Sequence, residues 1–167
     1  MKGCIISFYL VNLEKLRQII GGKDLSFLKK LDLQKEDWHY AETLLMGTKQ
    51  KQDQDEGSEY GYALESIIEY CFGESEEIAE LNLDYDDFKK SPVEWIIKSG
   101  PPVKIAPSDD VPFIGHRTVA EMKKFLDNWN DEKAEKYDDD MLEIIETTLE
   151  VFQKAVKKKK DLVTFFV

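Results

Sequence analysis

Gly3–Val11 reads GCIISFYLV, and Leu162–Val167, the last six residues, reads LVTFFV. The first run is apolar on both alternating faces, the pattern of a strand covered from both sides. A lone strand leaves its backbone N–H and C=O groups without partners. The two runs are therefore predicted to pair with each other, or to share one small sheet with helices packed on it. The expected fold is α+β: a single domain over residues 1–167, with the N- and C-terminal strands in a small sheet and several packed helices. Loss of Phe165–Val167 is predicted to abolish folding.

The chain between these runs is mostly helical in pattern. Asn12 is placed to cap a helix carrying Leu13, Leu16, Ile19 and Ile20, which Gly21-Gly22 ends. A short helix over Asp24–Leu31 follows. A longer one over Lys35–Thr48 has Trp38, Ala41, Leu44 and Leu45 on one side. Lys49–Ser58 (KQKQDQDEGS) holds no apolar residue and reads as an exposed loop. Over Glu59–Phe72 a stripe of Tyr60, Ala63, Leu64, Ile67, Ile68 and Cys71 predicts a helix that turns Glu65 and Glu69 to water. Glu74–Lys90 reads as irregular, with one helical turn.

Ser91-Pro92-Val93-Glu94 has the form of a capping box, and Gly100-Pro101-Pro102 stops the short helix it opens. Val103–Gly115, with Pro107 and Pro112, reads as a crossing loop containing at most a short extended piece. Thr118–Glu121 repeats the capping box ahead of Val119, Met122, Leu126 and Trp129. Asp127–Asp140 reads as a polar connector. The strongest period is Leu142, Ile145, Leu149, Phe152 and Val156, widened by Ile144, Thr148, Val151 and Ala155. Lys157–Lys160 at its end complement the helix dipole.

Charge is distributed unevenly. The chain has 34 acidic and 23 basic residues and a net charge of −11. Gln52–Phe88 alone contains thirteen acids and no Lys, Arg or His, so the excess is local. Such a block attracts basic partners and repels nucleic acid. Its candidate docking residues are Asp53, Asp55, Glu56, Glu59, Glu74, Glu76, Glu77, Asp84, Asp86 and Asp87. Charge reversal at Glu74, Glu76 and Glu77 is predicted to weaken docking without lowering stability. Tyr60, Tyr62 and Tyr70 lie among the acids and could add cation–π contacts, or be core.

Motifs for chemistry are few. His39 and His116 have no partner at metal-ligand or catalytic spacing. Asp53–Gly57 starts like a calcium loop, but its sixth position is Ser58 and its twelfth Leu64, which removes the tight turn and the bidentate ligand. No phosphate-cradling glycine pattern and no nucleophile elbow occur. The expectation is a protein without catalytic residues, cofactor or metal. Lys157–Lys160 is the only basic run, which argues against direct nucleic-acid binding. The first apolar run, Cys4–Val11, is too short to span a bilayer, and no small-residue cleavage site follows it, so no secretory signal is expected. Cys4 and Cys71, far apart, read as buried thiols. The expected location is the cytoplasm.

Several segments together resemble the YfbM-like group of bacterial domains of unknown function and related uncharacterised families. They are Ile5–Val11 with Asn12-Leu13-Glu14-Lys15-Leu16, Lys35-Glu36-Asp37-Trp38 with Leu44-Leu45-Met46-Gly47, Gly61–Glu65, Pro107–Gly115, Arg117–Met122 and Asp161–Phe166. The resemblance implies a single α+β domain of bacterial type. It brings no catalytic residues with it.

Three functions fit these observations. The first is a non-enzymatic interaction protein whose acidic face docks a basic protein, as an immunity or inhibitor protein would. The second is an enzyme or small-ligand binder with a cleft between the Gly100–Gly115 loop and the Trp38 helix, using Trp38, His39, Asp110, His116 and Arg117. The third is charge that serves solubility alone.

Overall fold

The two hydrophobic ends do meet. A computed structural model describes residues 4–51, 54–81 and 84–167. In it β1 (Cys4–Val11) and β4 (Asp161–Phe166) pair antiparallel from Ile6 opposite Phe166 to Val11 opposite Asp161. Two further strands flank them, β2 (Glu77–Leu81) beside β1 and β3 (Phe113–Arg117) beside β4. The sheet order is β2-β1-β4-β3, so the terminal strands are central and the two internal ones are edges.

Alternation along β1 and β4 builds two cores. Tyr9, Val11, Val163 and Phe165 face one side, under α1 (Leu13–Ile19), α2 (Trp38–Met46) and α3 (Gln54–Phe72). Ile6, Phe8, Leu162 and Phe166 face the other. That side is covered by α4 (Tyr85–Phe88), α5 (Trp95–Lys98), α6 (Val119–Asn128) and α8 (Asp139–Lys158). The fold is thus a mixed α+β domain with helices on both faces of a small antiparallel sheet. Burial on both sides explains why the central strands read as continuous apolar runs. Phe8, Phe152, Phe165 and Phe166 are each almost fully buried, and each is worth about 1.5–3 kcal/mol in transfer terms.

One carboxylate ties the sheet to both layers. Asp161, at the start of β4, accepts from the backbone N–H of Leu13 at 3.1 Å and from that of Val119 at 3.0 Å. These are the first residues of α1 and α6, whose N–H groups have no intrahelical partner. Gly115 of β3 lets α5 lie directly on the strand. A Cβ there would run into the Ile96 carbonyl and the Ile97 Cα.

Several local expectations need correction. The helix over Asp24–Leu31 is only a 3₁₀ turn at Leu28–Lys30. Gln54–Ser58 is not loop but the first turn of α3, because Gly57 there packs against the Pro107 carbonyl and Ser108. Glu74–Lys90 contains the strand β2, which carries few apolar side chains because it is an edge strand with β1 on one side only. Ser91 makes no capping bond and its hydroxyl is buried without a partner; Pro92–Glu94 is a 3₁₀ turn before α5. The crossing loop ends in β3. The polar connector contains α7 (Asp131–Ala134), started by Asn130, whose side chain accepts from the Lys133 N–H at 3.0 Å. Glu65 does not simply face water. It is half-buried and accepts from the Tyr9 hydroxyl at 3.0 Å.

The Asn12 cap, the Thr118 capping box and the long helix α8 form as the sequence predicts. Cys4 and Cys71 are free thiols, the first buried and the second half-buried. Among the described residues no helix is long and apolar enough to cross a membrane.

Candidate functional site

The acidic stretch runs along α3 on one face of the sheet, turns at Gly73, follows the β2 edge and continues into α4 on the other face. It therefore passes round the β2 edge and then crosses the second face, where Tyr85 of α4 stacks on Phe113 of β3. The cause is topological: β2 is the link that carries the chain from one helical layer to the other.

The ten candidate acids fall into three groups. Asp53 and the side chain of Asp55 lie outside the described residues. Four have lysine partners: Glu56 with Lys51 at 3.5 Å, Asp86 with Lys89 at 3.2 Å, Asp87 with Lys90 at 2.9 Å, and Glu76 with both Lys158 at 3.4 Å and Lys154 at 3.8 Å. Glu59, Glu74, Glu77 and Asp84 have no cation within ion-pair distance among the described residues. Asp84 also caps α4, accepting from the Asp87 N–H at 2.9 Å. Glu80, exposed on β2, joins the unpaired group. Sequence reading omitted it from the docking set, and only its place on an edge strand singles it out.

The lysine pairs differ in weight. Asp86–Lys89 and Asp87–Lys90 are exposed neighbours on one turn, and solvent screens such pairs so that they contribute little. A docking cation can replace those lysines at small cost. Glu76 is more deeply placed. Its backbone N–H donates to the Phe8 carbonyl at 2.7 Å, and its carboxylate holds two lysines of α8. Reversing its charge would set three ammonium groups together. Glu76 thus joins α8 to the start of β2, which sets it apart from Glu74 and Glu77 in the expectation that charge reversal spares stability.

Burial perturbs one further acid beside this edge. It pushes the Glu65 carboxyl up, the Tyr9 hydroxyl opposes this, and neighbouring Glu69 adds to the rise. The Tyr9 phenol is raised in turn, by its own burial first and then by the charge of Glu65.

The residues of the alternative cleft are not brought together. His116 and Arg117 are consecutive on β3, so their side chains leave opposite faces of the sheet. The His116 ring lies 2.7 Å from the Gly100 carbonyl through Nδ1. The Arg117 guanidinium donates to the Trp95 carbonyl at 2.7 and 3.0 Å, pairs with Glu121 at 2.8 Å and stacks on the Trp95 ring at 3.9 Å. Trp38 and His39 belong to α2, where His39 is exposed against Tyr40 and the Trp38 indole N–H is buried without a partner. Asp110 is exposed and binds within its own loop, accepting from the Val111 N–H at 2.8 Å. The 100–114 loop does form a cavity of about 300 Å³, but against Gly57 and Gly61 of α3, and none of the five residues lines it. Among the described residues no cluster of His, Cys, Asp and Glu is arranged to hold a metal ion.

Compared with known proteins, residues 3–167 match a family model described as a domain of unknown function, DUF7691. No curated protein matches the chain. No solved structure matches it.

Proposed function

The chain belongs to the DUF7691 family, and from that premise we propose that it is a non-enzymatic interaction protein whose acidic edge docks a basic protein partner. One observation carries this reading. Glu59, Glu74, Glu77, Glu80 and Asp84 follow one another along the chain from α3 across β2 to α4 without a cation beside them among the described residues, and Asp86 and Asp87 next to them hold only weakly bound lysines. Glu77 and Glu80, three residues apart on β2, leave opposite faces, so the acids flank the strand on both sides. Carboxylates distributed along an edge in this way speed encounter with a cationic surface and suppress wrong partners. An immunity or inhibitor role is the concrete form of this reading.

We place the protein in the cytoplasm, where its two free thiols would stay reduced, and read the family as kin to the YfbM-like domains its motifs resemble. The cleft-based enzyme reading is not carried forward, because His116 and Arg117 point to opposite faces.

The test is capture from native lysate at low salt, with wild type and the E74K/E77K/E80K variant as baits. A basic protein retained by wild type, released by salt and lost with the variant is the expected result. Retention independent of both salt and substitution would contradict it.

A further inference from the structure

A second site lies on the α5/α6 side of the domain, away from the acidic edge. Trp95, Phe125, Trp129 and Tyr137 line a cavity of about 620 Å³ bordered by α5, α6 and α7. Its rings are ordered. Arg117 covers the Trp95 ring, Trp95 stacks on Phe125 at 5.0 Å and 24°, and Phe125 stacks on Trp129 at 6.2 Å and 7°. Phe152 of α8 meets Trp95 and Phe125 edge-on beneath, at 5.8 and 5.4 Å, and fixes their tilt. The four lining aromatics are half-buried, each packed against the second core. They form a platform of near-parallel planes with open surface.

The charge at this cavity runs against that of the molecule. In a chain of net charge −11, the charged side chains on its wall are Lys124, Lys133 and Lys136 with a single acid, Glu121. Glu121 is already matched. Burial would raise its carboxyl, but the Thr118 backbone N–H and Arg117 outweigh that and hold it below the usual carboxylate range. Lys133 donates to the Asn128 carbonyl at 2.6 Å. Lys124 and Lys136 are exposed, and no carboxylate lies within ion-pair distance of either among the described residues. Asp127, Asp131, Glu132 and Glu135 belong to the same stretch of chain but do not line the cavity.

We propose that this groove binds a small planar aromatic anion, its ring extending the Trp95–Phe125–Trp129 stack and its acidic substituent meeting Lys124 and Lys136. The volume lies in the range of small-molecule sites, roughly 300–1,000 Å³. Near-parallel aromatic planes select a flat ligand over a branched aliphatic one. Two ammonium groups at the rim select an anion over a neutral ring or a cation. Nucleoside monophosphates and aromatic carboxylates share this chemistry.

The test follows the indole N–H resonances of Trp95 and Trp129 in the full-length protein, with Trp38 on the other face of the sheet as internal reference. The probes are naphthalene-2-sulfonate, its uncharged sulfonamide and inorganic sulfate. The sulfonate is expected to shift Trp95 and Trp129 and leave Trp38 in place, and sulfate alone to shift none. Removing the ligand's charge, or the rim lysines in K124Q/K136Q, is expected to weaken binding about fivefold, as the loss of two exposed ion pairs would. Comparing adenosine monophosphate with naphthalene-2-carboxylate then assigns the anion, the tighter of the two naming the source. No shift of either indole up to about 10 mM sulfonate, a range that covers the weakest specific sites, would overturn the proposal. So would equal affinity for sulfonate and sulfonamide in wild type and in the lysine variant.

Discussion

The docking edge proposed at β2 and the ligand groove proposed beside α5 and α6 would use opposite means of recognition. The edge presents Glu74, Glu77 and Glu80 on or beside an open strand, with charge as its only resource. The groove offers a cavity of about 620 Å³ lined by ordered rings, with three lysines on its wall. Charge on an open surface acts at a distance and sets the rate of encounter. A shaped aromatic cavity acts on contact and sets how long a ligand stays. The two regions therefore answer to different variables. Ionic strength should govern the edge, and ring geometry the groove.

The sheet is what the two regions share, so the largest perturbation removes them together. Deleting Phe165–Val167 takes away two almost fully buried side chains and the last two residues of β4, which pair with Ile6 and Ser7 of β1 and with Phe113 and Ile114 of β3. The truncated chain is expected to show no cooperative thermal transition. A cooperative melt at the wild-type temperature would mean that the terminal strands do not hold the domain.

Phe152→Ala should separate the regions. It removes the ring that props Trp95 and Phe125 and is expected to cost about 3–5 kcal/mol in denaturant unfolding. Binding of naphthalene-2-sulfonate should be lost below the midpoint, while salt-dependent docking at the edge persists. Equal loss of both would show that they form one unit.

Within the edge, Glu76→Lys and Glu74→Lys should differ. The first sets a third ammonium beside Lys154 and Lys158 and is expected to destabilise by about 1–2 kcal/mol, the scale of a broken paired charge at a partly exposed position. The second alters an exposed acid and should stay within about 0.5 kcal/mol. Thermal melts of both variants decide whether Glu76 is structural.

The smallest effect is at Glu65. Its folded pKa is raised, so the folded state binds the proton more readily than the unfolded one. Stability is then lost as pH rises from the unfolded pKa through the folded one. Glu65→Gln removes the ionisation and keeps an oxygen for the Tyr9 hydroxyl. A modest gain in Tm is expected near neutral pH, vanishing below about pH 4, where the unfolded carboxyl is protonated too. A gain that does not change with pH would place its origin elsewhere.

What the sequence made legible followed from how many faces each element buries. The runs at Gly3–Val11 and Leu162–Val167 have two covered faces and announced themselves as central strands. Leu142–Val156 has one wide stripe and announced a packed helix. The edge strands β2 and β3 did not stand out. Glu77–Leu81 has a neighbouring strand on one side only, and Phe113–Arg117 is short and preceded by prolines, so neither shows a period. The acidic block was visible as composition, but not its course round the sheet edge, which depends on β2. The groove was hidden for another reason. Trp95, Phe125, Trp129 and Tyr137 come from three segments with separate local explanations, and each aromatic taken alone reads as core. Within the connector, Tyr137 and Lys136 stand side by side among acids, a pairing that could have drawn attention. The cleft residues failed for a simple steric reason, the alternation of side chains along β3.

The central claim is that unpaired carboxylates on the β2 edge drive docking. Its most direct test is the association rate constant with the captured basic partner, measured against ionic strength for wild type and E74K/E77K/E80K. A steep fall with salt for wild type, and a shallow or inverted dependence for the variant, is the predicted result. The same slope for both proteins would contradict the account.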